Sequence, residues 1–325
     1  MKTIEATVVK HTGSHYLLSM LPQWEPFPAV MRGKVRLQKS TTTNPVAVGD
    51  RVLCEVPDDF RPEDCPREES GTGADNPVTI TEILPRSNYV IRKSTNLSRQ
   101  AHIIAANVDK AFIVVTLAFP EVKLPFLDRL LVTCGMYGIP AVIVLNKIDL
   151  LREMDASQLR DQFVEIYTGA GYPVMEVSAR TGEGMDALRQ AMGGINLLSG
   201  FSGVGKSSII KALNPALNPR TAEISIAHLQ GRHTTTFYEM YPLDSASYII
   251  DTPGIRSFGL LDVTPEETAL YFPEMLKLSP NCRFTPCTHT HEPGCAIKEA
   301  VENGLISVER YNSYLGMLEE YHKYR

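Results

Sequence analysis

Residues 200–208 read GFSGVGKSS, which meets the pattern G-x-x-x-x-G-K-[ST] at Gly200, Gly205, Lys206 and Ser207. An apolar stretch, GINLLSG, leads into it and a helix-forming stretch, KSSIIKALN, follows, so the context is strand, loop, helix. The glycines let the backbone curl, so that N–H groups across Phe201, Ser202, Gly203, Val204 and Gly205 can face one anion. The helix opening at Lys206, Ser207 and Ser208 presents its positive end to the same anion. Lys206 adds a point charge for β- and γ-phosphates, and the Ser207 hydroxyl can hold Mg²⁺. This is nucleotide-phosphate chemistry, but ATPases, kinases and GTPases share the loop, so other residues must name the base.

Asn146, Lys147 and Asp149 belong to NKID, at the end of the apolar run PAVIVL. Strand ends are where α/β sheets bind ligands. Guanine shows two donors, N1–H and N2–H₂, on one edge. A carboxylate such as Asp149 accepts both, and adenine lacks that pair. The stem of Lys147 can lie on the flat base, and Asn146 can tether neighbouring loops. Ser178 and Ala179, in SAR at 178–180, follow the next strand, where a turn offers backbone N–H groups to a guanine carbonyl. Asp251, in DTPG at 251–254, ends the strand SYII. It is the expected carboxylate partner of Ser207 on Mg²⁺, with Gly254 donating an N–H to a γ-phosphate. In the intervening GRHTTTF, Thr235 is the expected third Mg²⁺ group, with Thr234 and Thr236 close behind. A threonine that reaches the metal only when a γ-phosphate is present makes this segment an order–disorder switch.

The five signals agree on one guanine nucleotide, but in an unusual order: base reader, second base reader, phosphate loop, switch, Mg²⁺ carboxylate. A sheet tolerates a new cut in its chain if the old termini can be joined by a short connection. The order therefore predicts a circularly permuted GTPase whose second switch, ending near IRSFGL, leads straight into the C-terminal residues. Ile255 follows DTPG where ordinary small GTPases keep a water-orienting glutamine nearby. Isoleucine cannot orient water, so slow intrinsic hydrolysis is expected. His233, beside the threonines, is the candidate catalytic group; the competing reading is that it shapes its loop or touches RNA.

Positioning these residues takes a sizeable scaffold, and 325 residues with 43% apolar content supply it. Residues 1–98 read as all-β, with EATVVKHTGSHYLLSML, AVMRGKVRLQ, VAVGDRVLCEV, VTITEILP and NYVIRK as five strand-forming runs. A small closed barrel of the oligonucleotide-binding (OB) kind is expected, with the acidic 57–77 segment as a loop between strands. Residues 99–261 alternate strand and helix patterns, the signature of an α/β domain with a mostly parallel sheet. Residues 262–325 form short helical pieces around CRFTPCTHTHEPGC. Its Cys282, Cys287, His289 and Cys295 suit a closed tetrahedral structural Zn²⁺ site, with His291 as the alternative fourth ligand.

The net charge of −5 gives no global pull toward nucleic acid. Local basic runs (Arg32, Lys34, Arg36 and Lys39; then Arg86, Arg92, Lys93 and Arg99) could track phosphates or simply form solvated strand faces. No secretory signal and no membrane-length apolar run is seen, and scattered thiols suit a reducing cytosol. Nothing demands a dimer, so a monomer is expected.

With these motifs, the permuted order and the C-x4-C-x-H-x5-C spacing behind an N-terminal barrel, the whole chain resembles the small-ribosomal-subunit biogenesis GTPases of bacteria (RsgA/YjeQ type). The resemblance implies a cytoplasmic protein that binds the small (30S) subunit and its rRNA, hydrolyses GTP to GDP slowly alone and faster on the subunit, and helps late assembly factors leave. The barrel and the zinc domain would be the rRNA contacts. The long acidic loop at 57–77 departs from that pattern. The alternatives are a GTP-dependent switch in a non-ribosomal RNA process and an ATP-dependent enzyme with an incidental NKID.

Overall fold

The computed structural model describes residues 1–11, 15–31, 46–65, 78–93, 101–217, 238–251 and 264–323. Five strands, β1 (Lys2–His11), β2 (His15–Ser19), β3 (Phe27–Met31), β4 (Arg51–Val56) and β5 (Val78–Ile83), pair in the order β1-β2-β3-β5-β4. β4 also pairs with β1, which closes the barrel. Alternation drives it: along β4, Val52, Cys54 and Val56 turn inward to meet Val8, Leu18, Phe27 and Ile80.

This is the expected five-stranded OB barrel, but not from the expected five runs. EATVVKHTGSHYLLSML doubles back to give both β1 and β2. NYVIRK, expected in the barrel, forms β6 (Tyr89–Lys93) and pairs instead with β7 (Ala101–Ala106) in a separate antiparallel ribbon. The physical reason is closure: once β4 has returned to β1, the barrel has no free edge for another strand. The basic run is also corrected at one position. Arg86 forks onto the fully buried Asp50, Nε to Oδ1 at 2.6 Å and Nη2 to Oδ2 at 2.7 Å, and so serves the fold rather than a phosphate. Arg32, Lys34, Arg36, Lys39 and Arg99, and the side chains of Arg92 and Lys93, lie outside the described residues.

The second sheet holds β8 (Lys110–Val115), β9 (Ala141–Leu145), β10 (Val174–Glu176), β11 (Gly194–Gly200), β12 (Glu239–Pro242) and β13 (Ser247–Asp251), in the order β10-β9-β8-β11-β13-β12. All pairs are parallel except β12 with β13. The strands are near-continuous apolar runs because helices cover them; Phe112, Ile113, Val144, Leu197, Leu198 and Ile250 are fully buried. The covering helices are α1 (Leu124–Met136), α2 (Ile148–Glu153), α3 (Ser157–Gly169), α4 (Met185–Ala191) and α5 (Lys206–Leu213). β8, β9 and β10 step away on one side of β11, and β13 and β12 on the other. The order therefore reverses between β8 and β11, and a crevice at their carboxyl ends is the binding place such sheets provide.

The C-terminal residues are mainly helical: α6 (Pro265–Thr268), opened by a Thr264–Glu267 capping box, then α7 (Pro273–Leu278), α8 (Ala296–Glu302) and α9 (Val308–Lys323). Their core, with Phe272, Met275, Ile297 and Tyr314, includes Val132 of α1, so this region is seated on the α/β sheet's own helix. The barrel is joined as well, because β1 pairs with β12 and merges the two sheets. Among the described residues no helix is long and apolar enough to cross a membrane.

Candidate functional site

The loop after β11 curls back on itself. Gly200 and Gly205 take φ values of +150° and +96°. Neither position has room for a side chain: a Cβ on Gly200 would lie 2.3 Å from the Val114 carbonyl oxygen, and one on Gly205 would lie 2.4 Å from Asn146 Nδ2. Lys206, at the start of α5, is buried and donates its Nζ protons to the carbonyls of Gly200 (2.8 Å) and Phe201 (2.9 Å). Burial lowers its pKa, while the charge of Asp251 acts in the opposite direction. Ser207 and Ser208 follow in the first helical turn, and Phe201 sets its ring edge-on to Phe126.

NKID lies where β9 ends, beside this loop. Asn146 is 2% exposed; its Nδ2 donates to the Val204 carbonyl at 2.9 Å, and its Oδ1 accepts the Ala179 N–H at 3.2 Å. One amide thus ties the phosphate loop to SAR. Lys147, in the left-handed region at φ +64°, donates to the Gly203 carbonyl at 2.9 Å and to that of Phe119. Asp149 opens α2 and accepts from Arg180 Nε at 2.6 Å. Burial raises its pKa, but Ser178, its own backbone N–H and Arg180 together outweigh burial and hold the carboxyl below the usual range. Asp149 therefore presents a carboxylate at neutral pH. Asp251 ends β13, in register with Leu198 of β11. His233, Thr234, Thr235, Thr236, Gly254 and Ile255 lie outside the described residues.

A separate cluster forms where the C-terminal loop folds over α8 and α9. The ligand atoms of Cys282, Cys287, His289 and Cys295 lie within 4.8 Å of one another. His289 Nδ1 is 3.6 Å from Cys282 Sγ and 3.4 Å from Cys295 Sγ. Tetrahedral zinc, with Zn–S of about 2.3 Å and Zn–N of about 2.0 Å, asks for an S···N spacing of about 3.5 Å, so these residues fit such an ion. The three cysteines are free thiols. Burial and neighbouring sulfurs push the Cys287 thiol up to about 12, a crowding that a divalent cation would relieve. His291 stands outside the four, exposed and bonded to Thr290 Oγ1 at 2.9 Å.

The RsgA GTPase family model matches residues 83–261. A Bacteroides fragilis protein named small ribosomal subunit biogenesis GTPase RsgA is 46% identical over 318 residues, 98% of this chain and 97% of its own. The chain belongs to the RsgA GTPase family. A Porphyromonas gingivalis protein of the same name is 44% identical over 321 residues, with 98% and 97% covered. The crystal structure of YjeQ from Thermotoga maritima superposes with a TM-score of 0.76 at 33% identity, covering 98% of both chains. YloQ, described as a circularly permuted GTPase, gives a TM-score of 0.72 at 24% identity over 100% of this chain and 96% of its own, a likeness of fold. As an RsgA-family member the chain is a GTPase, and the motif order along its sheet is circularly permuted.

Two contributors to the nucleotide site and one to the cysteine cluster were not legible in the sequence. The loop after β8 brings Phe119 to Lys147 and Pro120 to within 3.4 Å of a Cβ on Gly203; its only local signal was a Phe-Pro pair just past that strand. Arg180 follows Ala179 directly, yet its partner Asp149 lies 31 residues earlier. Tyr311 and Tyr314 donate to the carbonyls of His289 (2.7 Å) and Thr288 (2.7 Å), holding the cysteine loop from α9.

Proposed function

We propose that this chain binds the small ribosomal subunit and hydrolyses GTP to time its late maturation and the release of assembly factors. Its relatives carry the name small ribosomal subunit biogenesis GTPase. The observation that carries the nucleotide part is the Asn146 amide, because a side chain bonded to both Val204 and Ala179 makes base reader and phosphate loop one site. Guanine is read by Asp149 at its N1–H and N2–H₂ edge and by the N–H groups of Ser178 and Ala179, with Asn146 and Lys147 framing the base. The phosphates sit on the backbone of residues 200–205 and on Lys206, Ser207 and Ser208, with Gly254 meeting the γ-phosphate.

Ser207, Thr235 and Asp251 would hold Mg²⁺. The charge of Asp251 is felt at Lys206, so this carboxylate stands close to the phosphate loop, where an oxygen ligand for a divalent cation is wanted. When bound, the ion supplies charge neutralisation between β- and γ-phosphates. Two of the three Lys206 ammonium donors meet the Gly200 and Phe201 carbonyls, which leaves one for a phosphate oxygen, the stronger, charged acceptor. With isoleucine, which cannot orient water, following DTPG at position 255, turnover is slow alone. His233 orients the attacking water on the subunit. Cys282, Cys287, His289 and Cys295 hold a structural Zn²⁺ with no position left for water. The reading keeps a three-part division at 1–98, 99–261 and 262–325, with the β6–β7 ribbon as the joint between the first two. The barrel and the zinc region contact rRNA, and the protein acts as a cytoplasmic monomer.

Co-sedimentation with purified small subunits, with GDP and with a non-hydrolysable GTP analogue, tests the reading; tighter association with the analogue is expected. No association in either state would turn it to a GTP-dependent switch in another RNA process. His233→Ala should lose subunit-stimulated turnover and keep GTP affinity; unchanged stimulated turnover would remove His233 from the mechanism.

A further inference from the structure

Lys10, Glu239 and Asp251 stand side by side on three neighbouring strands. Asp251 on β13 is the register partner of Glu239 on β12, and Glu239 is the register partner of Lys10 on β1. Cross-strand partners share a face, with Cα atoms about 4.5–5.5 Å apart in antiparallel pairs. The three side chains therefore form one row, leading from the barrel to the carboxylate beside the phosphate loop.

The row has a charge problem and a built solution. Glu239 and Asp251 bring two carboxylates opposite one another, which a sheet disfavours unless one is balanced. Lys10 supplies the balance. It is 4% exposed, with Nζ 3.2 Å from Glu239 Oε1, while Tyr241 donates to Glu239 Oε2 at 3.1 Å. The bulge between Val8 and Lys10 breaks the alternation of β1 at this point. Val8 belongs to the barrel core and Val9 to the core of the α/β sheet, so β1 crosses from one to the other just before Lys10. A second contact fixes the joint. Trp24, of the barrel, stacks on Tyr248 of β13 at 5.7 Å, and the Tyr248 hydroxyl donates to the Pro22 carbonyl at 3.2 Å.

We propose that Lys10 is a positioning residue for the magnesium side of the nucleotide site, neutralising Glu239 so that the barrel sets the charge felt at Asp251. The inference rests on the nucleotide reading above and deepens it. Losing Lys10 leaves Glu239 uncompensated one strand away from Asp251, and a unit charge at such a separation is worth about threefold to tenfold at intermediate dielectric. That charge attracts Mg²⁺ and repels bare phosphate, so two constants move in opposite directions. A loosened fold would weaken both.

GDP binding is measured by calorimetry over a Mg²⁺ series, and without Mg²⁺, on the full chain. Lys10→Met should lower the half-saturating Mg²⁺ and weaken Mg²⁺-free GDP binding. Glu239→Gln should do the reverse, and the double variant, neutral at both positions, should return close to the parent. Arg51→Ala, which breaks the exposed Arg51–Glu5 pair in the barrel, should move neither constant. Both constants weakening together in the single variants, or a double variant no closer to the parent than they are, would overturn the proposal. Should Lys10→Met fail to fold, Glu239→Gln and the double variant still decide it. A parent protein that binds no GDP at all would instead defeat the nucleotide reading, so the two failures are distinguishable.

Discussion

Asn146 and Gly205 meet so closely that the glycine cannot take a side chain while the amide stays in place. The glycine's conformation and the missing Cβ are both required, since a methyl there would lie 2.4 Å from the Asn146 amide. Gly205→Ala should therefore disturb the phosphate loop and, through Asn146, the SAR turn. The expected outcome is loss of GDP binding by at least about tenfold with secondary structure intact, read by calorimetry and circular dichroism. Asp149→Asn tests the base reading separately. An amide offers one donor and one acceptor where guanine needs two acceptors, so GDP affinity should drop at least about a hundredfold. Xanthosine diphosphate, with a carbonyl at C2, should gain. Equal GDP affinity in the variant would remove Asp149 from base recognition. The residues whose chemistry is local, such as Lys206 and Asp149, were legible from type and spacing. The Arg180–Asp149 pair and the Phe119 carbonyl were not, because those contacts exist only once two loops have met.

At the scale of elements, α1 connects the nucleotide loops to the C-terminal region, and its fastening is a buried arginine. Arg310 of α9 donates to Asp128 Oδ1 of α1 at 2.6 Å and forks onto Glu274 of α7 at 2.7 and 3.2 Å. Tyr167 of α3 donates to the same Asp128 oxygen at 2.8 Å, and the Phe272 ring lies 4.5 Å from the guanidinium. Arg310→Met would leave two carboxylates desolvated and uncompensated, at a cost of about 3–5 kcal/mol. Arg310→Lys should recover only part, since an ammonium cannot fork. Equilibrium unfolding in denaturant measures both, with Arg152→Ala, at an exposed pair with Glu183, expected to leave stability unchanged. The strands of the α/β sheet were readable as apolar runs, and α1 from its helical spacing. This fastening was not, because residues 128, 274 and 310 carry no shared local pattern. The barrel shows the same limit: its strand count was right, but the pairing that excludes NYVIRK depends on closure, which is a property of the whole sheet.

For the whole molecule, the permuted order was legible because each motif marks its own place in a known kind of site, whatever the order along the chain. The merging of barrel and α/β sheet through β1 and β12 was not, since it rests on Lys10 pairing with Glu239. Among the described residues the cysteine loop shares no core residue with the nucleotide site: Cys295 belongs to the C-terminal core, Val204 and Ile209 to the core of the α/β sheet. Metal removal should therefore act on one part and spare the other. Chelation should strip one zinc per chain, measured by elemental analysis, and lower the thermal midpoint as the Tyr311 and Tyr314 bonds to the loop loosen. GDP affinity should stay within about twofold, since its donors and acceptors sit at the ends of β9, β10, β11 and β13 and in the loops that follow them. Uptake of the ion should release protons, because a thiol such as Cys287, half-buried and crowded by neighbouring sulfurs, is protonated without it, so loading should fall as pH falls. GDP affinity that disappears together with the zinc would mean that the α1 fastening carries the C-terminal region's state into the nucleotide loops at equilibrium, and that the two cores do not act independently.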